Sequence, residues 1–215
     1  MDQFGSVNVV GLGYIGLPTA AVLACSQVRV HGTDISPRTV EQVQAGQVPF
    51  VEPDLAEYLQ RAVQLGYLTA SVEAVQAEAY IIAVPTPIQG DRSADLSAVE
   101  AAARAIAKQV SPGNLVILES TSPPGTTEKI GRWIGEVRPD LVLPDGSVNL
   151  LLAHCPERVL PGRIMTELVN NDRVIGGITP AASQAGAQLY QTFCRGKMLL
   201  TDATTAEMAK LVENS

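Results

Sequence analysis

The chain has 215 residues, 46% of them apolar and only 4% aromatic, with a formal net charge of −7. That length suits one large domain, or one domain and the start of another. The acidic balance offers no basic stripe for a phosphate backbone, and no apolar run nears the ~18 residues of a membrane span, so neither a nucleic-acid nor a membrane partner is expected.

The first element is the apolar run Val7-Asn8-Val9-Val10, which ends in Gly11-Leu12-Gly13-Tyr14-Ile15-Gly16. The spacing is G-x-G-x-x-G, and an amphipathic helix is expected over residues 17–24. Gly11 permits the turn, Gly13 leaves room for a pyrophosphate against the backbone, and Gly16 lets helix and strand pack closely. The backbone N–H groups of Tyr14 and Ile15 lie where a cofactor would meet the turn, and the helix dipole favours phosphate there. A second strand over residues 28–33 ends at Asp34, eighteen residues past Gly16. This is close to the ~20 expected for the acid that grips an adenosine ribose. Arg38, four residues on, would suit a 2′-phosphate that Asp34 would repel, so the expected cofactor is NAD.

Ser36 caps a helix that begins at Pro37 and stops at Gly46. A further helix is expected over residues 54–65, then short strands over 68–71 and 79–84. Ser97-x-x-Glu100 reads as a capping box for a helix reaching Val110. A buried strand over 115–118 closes on Glu119-Ser120-Thr121. The Pro124-Gly125-Thr126-Thr127 run opens a helix to about Val137, whose N-terminus is a second anion site. Thr127 there either offers its hydroxyl to the cofactor or caps the helix. A strand over 149–153 ends at His154-Cys155-Pro156-Glu157-Arg158. Short strands at 174–175 and 198–200 flank a helix over 179–193, and a last helix runs from Thr204 to Ser215. This alternation predicts an α/β, Rossmann-like, doubly wound and mostly parallel sheet with helices on both faces. Ligands then sit at the carboxyl ends of the strands, near Gly11, Asp34, Thr86 and Thr121. Cys25, Cys155 and Cys194 are far apart, with no C-x-x-C and no zinc-type cluster. No metal site, reduced thiols and a cytoplasmic location are expected.

Six motifs fall in one order: Gly11 to Pro18, Asp34, Val84-Pro85-Thr86-Pro87, Ser120-Thr121, Pro156-Glu157-Arg158, and Glu207-Met208-Ala209-Lys210-Leu211-Val212-Glu213-Asn214. Together they resemble the nucleotide-sugar 6-dehydrogenases, the UDP-glucose/GDP-mannose dehydrogenase family. Residues 82–87, 118–123, 155–162 and 171–177 most resemble bacterial members that act on UDP-N-acetyl-D-mannosamine. The resemblance implies oxidation of a sugar C6 alcohol to a carboxylate by two hydride transfers to two NAD+, through a thioester on a cysteine that water hydrolyses. It implies that Lys210 and Asn214, one helical turn apart, stabilise the alkoxide and bind substrate. Glu157 would work with water, Arg158 and Val159 would run past the substrate, and Thr86 and Thr121 would lie beside the cofactor. Residues 1–202 would form the NAD-binding domain and 203–215 the start of a central linking helix. A homodimer would form through that helix in the full-length protein.

One departure stands out. The family's catalytic cysteine lies in a G-x-C-x-x-x-D setting, which this sequence lacks. That cysteine is expected beyond residue 215, where the uncapped last helix points, and the chain alone is expected to bind NAD without completing the oxidation. UDP-glucose or another UDP-HexNAc remains open as the substrate. So do a non-catalytic cofactor-binding module and a 3-hydroxyacid dehydrogenase, which also uses Lys and Asn on a helix.

Overall fold

The structure, a computed structural model, describes residues 4–90 and 93–213; Asn214 lies outside the described residues. The strands are β1 (Ser6–Val10), β2 (Arg29–Thr33), β3 (Leu68–Ser71), β4 (Ala79–Ile82), β5 (Leu115–Leu118), β6 (Leu151–His154), β7 (Arg173–Gly177) and β8 (Met198–Asp202). The helices are α1 (Gly16–Cys25), α2 (Pro37–Gln44), α3 (Leu55–Gln64), α4 (Ser97–Ala107), α5 (Thr126–Val137), α6 (Ile164–Asn170), α7 (Pro180–Tyr190) and α8 (Ala203–Glu213). All the strands join one sheet in the order β3-β2-β1-β4-β5-β6-β7-β8. Only the β6–β7 pairing is antiparallel. The expected doubly wound α/β architecture is therefore present.

The central strands β4 and β5 are buried at every position, because helices cover both faces and aliphatic runs suit such strands. One core lies among α1, α2, α3, α6 and α7, and the other under α4 and α5. At the far side, β7 is squeezed between two helices by adjacent glycines. A Cβ on Gly176 would lie 2.6 Å from the Ala206 methyl of α8, and one on Gly177 would lie 2.8 Å from Ser183 Oγ of α7. This is how α8 comes to rest against the sheet.

Four expectations need correcting. Helix α1 is not amphipathic: residues 16–24 are all buried, since α3 and α6 cover its outer side. Ser97 is not a cap. It is the first residue of α4, and its N–H donates to Asp95 Oδ1 at 2.9 Å. Glu100 instead pairs with Arg104 one turn on, at 2.8 Å. Helix α6, absent from the sequence reading, starts without a local side-chain cap. Its first N–H, that of Ile164, is satisfied by Glu52, 112 residues away, which no local pattern reveals. Finally, β8 runs to Asp202 and passes directly into α8.

Candidate active site at the carboxyl ends of the strands

The glycine turn has the geometry its spacing predicts. Gly11 sits at φ +94°, where a Cβ would lie 2.6 Å from the Ala83 carbonyl oxygen. A Cβ on Gly16 would collide with the carbonyl oxygen of Gly11. Gly13 differs, because nothing lies within 4 Å of the place its Cβ would take. The backbone there is open. Ile15 holds the N-cap position of α1 and supplies no side-chain acceptor, leaving the first turn of the helix to an external anion. These features fit a dinucleotide phosphate.

Asp34, at the end of β2, is fixed by two backbone amides. Leu12 N–H donates to Oδ2 and Ser36 N–H donates to Oδ1, each at 2.9 Å. The acid is thus fastened to the glycine turn itself. Beside it Ile35 is 96% exposed, an apolar surface next to the turn. Arg38 is exposed on α2.

Thr86 and Thr121 are brought together: the Thr86 hydroxyl donates to the Thr121 carbonyl oxygen at 2.6 Å. Ser120 Oγ likewise donates to the Val84 carbonyl oxygen, also at 2.6 Å. The loops after β4 and β5 therefore act as one unit. Thr127 is placed differently. Its N–H and hydroxyl both donate to Glu207 Oε1, at 2.8 and 2.7 Å, while Gly125 N–H donates to Oε2 at 2.6 Å. The α5 terminus offered by the sequence as an anion site holds a carboxylate of the chain itself. Neither reading of Thr127 anticipated that partner.

Glu157 is not a surface residue paired with its neighbour. It is buried and bonded to Arg173 at 3.0 Å, with Arg158 N–H donating to its other oxygen at 2.8 Å. Arg173 in turn lies over the Tyr190 ring, 4.5 Å from its centre. Tyr190 Oη donates to Glu119 Oε1 at 2.7 Å, and Thr19 Oγ1 reaches the second oxygen at 3.3 Å. Burial first, and the Glu157 charge second, push the Glu119 carboxyl up to about 7. Cys155, against the same guanidinium, is fully buried, and its thiol is pushed up to about 12. Buried and hard to ionise, it has the character of a packing thiol. Val159 is half-buried and packs against the first core.

Arg158 reaches α8. Its Nε and Nη2 donate to Glu213 Oε1 at 2.8 and 2.6 Å, and Lys210 Nζ lies 3.9 Å from Glu213 Oε2. Arg158, Lys210 and Glu213, with Pro156, Val174 and Ala209, line a cavity of about 120 Å³. Two residues predicted from distant motifs thus share one cavity. Glu119, Arg173, Tyr190, Glu207 and Glu213 were given no role by sequence reasoning. Glu207 and Glu213 lay within a quoted motif, but their partners are remote in the chain. Among the described residues no group of His, Cys, Asp and Glu is placed to hold a metal ion.

Known proteins match this arrangement. Residues 5–194 match the model of the UDP-glucose/GDP-mannose dehydrogenase family, NAD binding domain. The chain is 51% identical to the UDP-N-acetyl-D-mannosamine dehydrogenase of Escherichia coli (strain K12), over 99% of this chain and 51% of that protein. It is 52% identical, over the same shares, to the NDP-N-acetyl-D-galactosaminuronic acid dehydrogenase of Ralstonia nicotianae. A solved structure of UDP-D-ManNAc dehydrogenase from Pyrococcus horikoshii superposes with a TM-score of 0.91 at 43% identity, over 97% of this chain and 50% of that one. The chain spans about half the length of the curated relatives it matches. With an open glycine turn, Asp34 fastened to it and this matched span, the chain belongs to the UDP-glucose/GDP-mannose dehydrogenase family and carries its NAD-binding domain over residues 5–194.

Proposed function

We propose that this chain is the cofactor-binding half of an NAD-dependent nucleotide-sugar 6-dehydrogenase whose substrate is UDP-N-acetyl-D-mannosamine. The observation that carries the reading is the convergence of Arg158 and Lys210 on one cavity past the end of β6, at the same carboxyl-end edge of the sheet as the open Gly13 turn. The bound cofactor supplies a hydride acceptor. Gly11, Gly13 and Gly16, with the amides of Tyr14 and Ile15, hold its phosphates, and Asp34 takes a ribose. Ile35 gives the base an apolar neighbour, and Thr86 and Thr121 border the far end.

In the cavity, Lys210 offers a positive charge to the sugar oxygen as it loses its proton, and Arg158 offers a guanidinium to the substrate. Both are engaged by Glu213 in this structure, so substrate entry requires that carboxylate to yield. Glu157, held by Arg173, orients water for the hydrolytic second half of the reaction. Asn214, four residues after Lys210 in the sequence and outside the described residues, is assigned to the substrate. The covalent nucleophile of a two-step oxidation is assigned to the half of the longer relatives that this chain does not match. Residues 1–202 constitute the cofactor domain and 203–215 the start of the linking helix. Leu199, Leu200, Met208 and Val212 are all more than two-fifths exposed on β8 and α8, and we assign this apolar surface to a homodimer contact in the longer protein. Among the described residues no helix is long and apolar enough to cross a membrane.

A paired assay tests this. The 215-residue chain mixed with NAD+ and UDP-N-acetyl-D-mannosamine should bind the cofactor and form no NADH. The chain joined to the second half of one of its longer relatives should form NADH faster with that sugar than with UDP-glucose or UDP-N-acetylglucosamine. Turnover by the 215-residue chain, or preference for UDP-glucose, would refute the assignment.

A further inference from the structure

Glu52 lies on the loop between α2 and α3, only 7% exposed, and belongs to no motif of the site. Its carboxylate joins three parts of the chain. Oε2 accepts from the Tyr14 hydroxyl at 3.0 Å and from Gly162 N–H at 2.9 Å. Oε1 accepts from Ile164 N–H at 2.9 Å. Tyr14 belongs to the glycine turn. Gly162 and Ile164 end the segment 155–164, which carries Glu157 and Arg158 to the substrate side and then enters α6. The Tyr14 ring also packs on Phe50 of the same loop, with centres 4.9 Å apart.

Arg173 of β7 and Glu213 of α8 hold the side chains of Glu157 and Arg158, while two further side chains hold the segment's backbone from close by. Leu160 N–H donates to Glu167 at 2.8 Å, and Asn171 Nδ2 donates to the Arg158 carbonyl at 3.1 Å. Both acidic and amide partners sit within or just after α6, so they travel with the segment. Glu52 reaches it from the cofactor side. A buried carboxylate with two backbone amides and a phenol on it costs the full desolvation of each group to release, so the three parts are held in one arrangement.

We propose that Glu52 is a positioning residue that couples occupancy of the glycine turn to the order of segment 155–164, and so to the placing of Arg158. The inference rests on the reading of the turn as the cofactor's phosphate site. A cofactor that immobilises Tyr14 fixes one bond to Glu52 and thereby favours the other two. By reciprocity, a fixed segment raises affinity at the turn by the same factor.

The test uses hydrogen exchange at Gly162 and Ile164, with and without saturating NAD+, in the wild type, Tyr14→Phe and Glu52→Gln, alongside calorimetric NAD+ titration. Tyr14→Phe removes one hydroxyl from a part-exposed ring and leaves both amide bonds to Glu52 in place, so the fold is retained. In the wild type NAD+ should slow exchange at both amides about two- to tenfold, the range of one hydrogen bond. In Tyr14→Phe that slowing should vanish while the cofactor-free rates stay close to wild type, and NAD+ affinity should fall by a similar factor. Glu52→Gln should lose the slowing and also exchange faster without cofactor. A purely structural Glu52 would accelerate exchange equally in both states and leave the ratio unchanged. NAD+ binding without protection, or equal protection in wild type and Tyr14→Phe, overturns the coupling and leaves the cofactor site standing. Failure of the wild type to bind NAD+ removes the premise and the coupling with it.

Discussion

At the β1–β2 end of the sheet, the site is made from backbone. Gly11 and Gly16 create the turn, Gly13 opens it, and the one acid, Asp34, is held by two main-chain amides. At the β5–β6 end the site is made from side chains, and nearly all of them are charged. Glu207 closes the α5 terminus, Arg173 balances Glu157, Tyr190 bonds to Glu119, and Glu213 holds Arg158. The first design tolerates side-chain change and forbids a Cβ at two glycines. The second depends on partners 16 to 82 residues apart in the chain, where losing one member strands the rest. The contrast suits the two proposed tasks, since a phosphate turn needs open amides while a polar reacting group needs charges fixed in place.

The largest expected effect lies in the charged region. Arg173→Ala leaves Glu157 buried without its cation, strips the stacking from Tyr190, and should cost about 3–5 kcal/mol in urea unfolding. Replacing Arg173 and Glu157 together by Met should recover most of that loss, because uncompensated charge, not the pair itself, carries the penalty. A double variant as unstable as the single one would show that the region stands on packing instead.

A pH effect comes next, at Glu119. Its carboxyl is raised from the ordinary 4.5 to about 7 by burial and by the Glu157 charge. Its contribution to stability is therefore fully present below pH 4.5 and lost as the pH rises through 7, opposite in sense to an ordinary ion-paired acid. Wild type should lose about 2–3 kcal/mol across that window relative to Glu119→Gln, measured as unfolding free energy at each pH. Parallel curves for the two proteins would mean that Glu119 is ionised throughout.

Glu207 gives a smaller and more directed test. Removing a buried carboxylate that accepts three bonds, in Glu207→Ala, should cost about 2 kcal/mol. It should also speed hydrogen exchange along α8, since the helix keeps its packing on Gly176 but loses its tie to α5. If exchange in α8 is unchanged, the helix is placed by the glycine contact alone.

The same contrast explains what could be read from the sequence. The turn, Asp34, the Ser36–Pro37 cap and the Gly46 stop are local, and the structure has each where its spacing put it. The parallel order followed from alternation and chirality, with the antiparallel β6–β7 step unannounced by any pattern. In the charged region the chain shows only isolated acids and cations. Glu52 capping α6 from 112 residues away, or Glu207 taking the anion place at Thr127, depends on how elements dock. The 97–100 pattern misled for a related reason. Asp95, one residue before the helix's N-cap Leu96, met the free amide first.

The smallest effect on the fold should come from the backbone-built end, and there the cofactor is the better probe. In Asp34→Asn one of the two acceptor oxygens becomes an amide nitrogen, which cannot accept from Leu12 or Ser36. One bond is lost, for about 1 kcal/mol of stability. The Leu12 amide belongs to the glycine turn, so slackening there and loss of the ribose acceptor act on the same ligand. NAD+ affinity should fall about five- to tenfold. NADP+ should respond differently, because the substitution also removes the negative charge that repels a 2′-phosphate near Arg38. Its affinity should hold steady or rise, and the NAD+ to NADP+ ratio should shrink more than either value alone suggests. Titrating both cofactors against wild type and Asp34→Asn measures this. If both affinities fall by one common factor, Asp34 serves only to brace the turn, and discrimination between the cofactors is made elsewhere on the strand-end face.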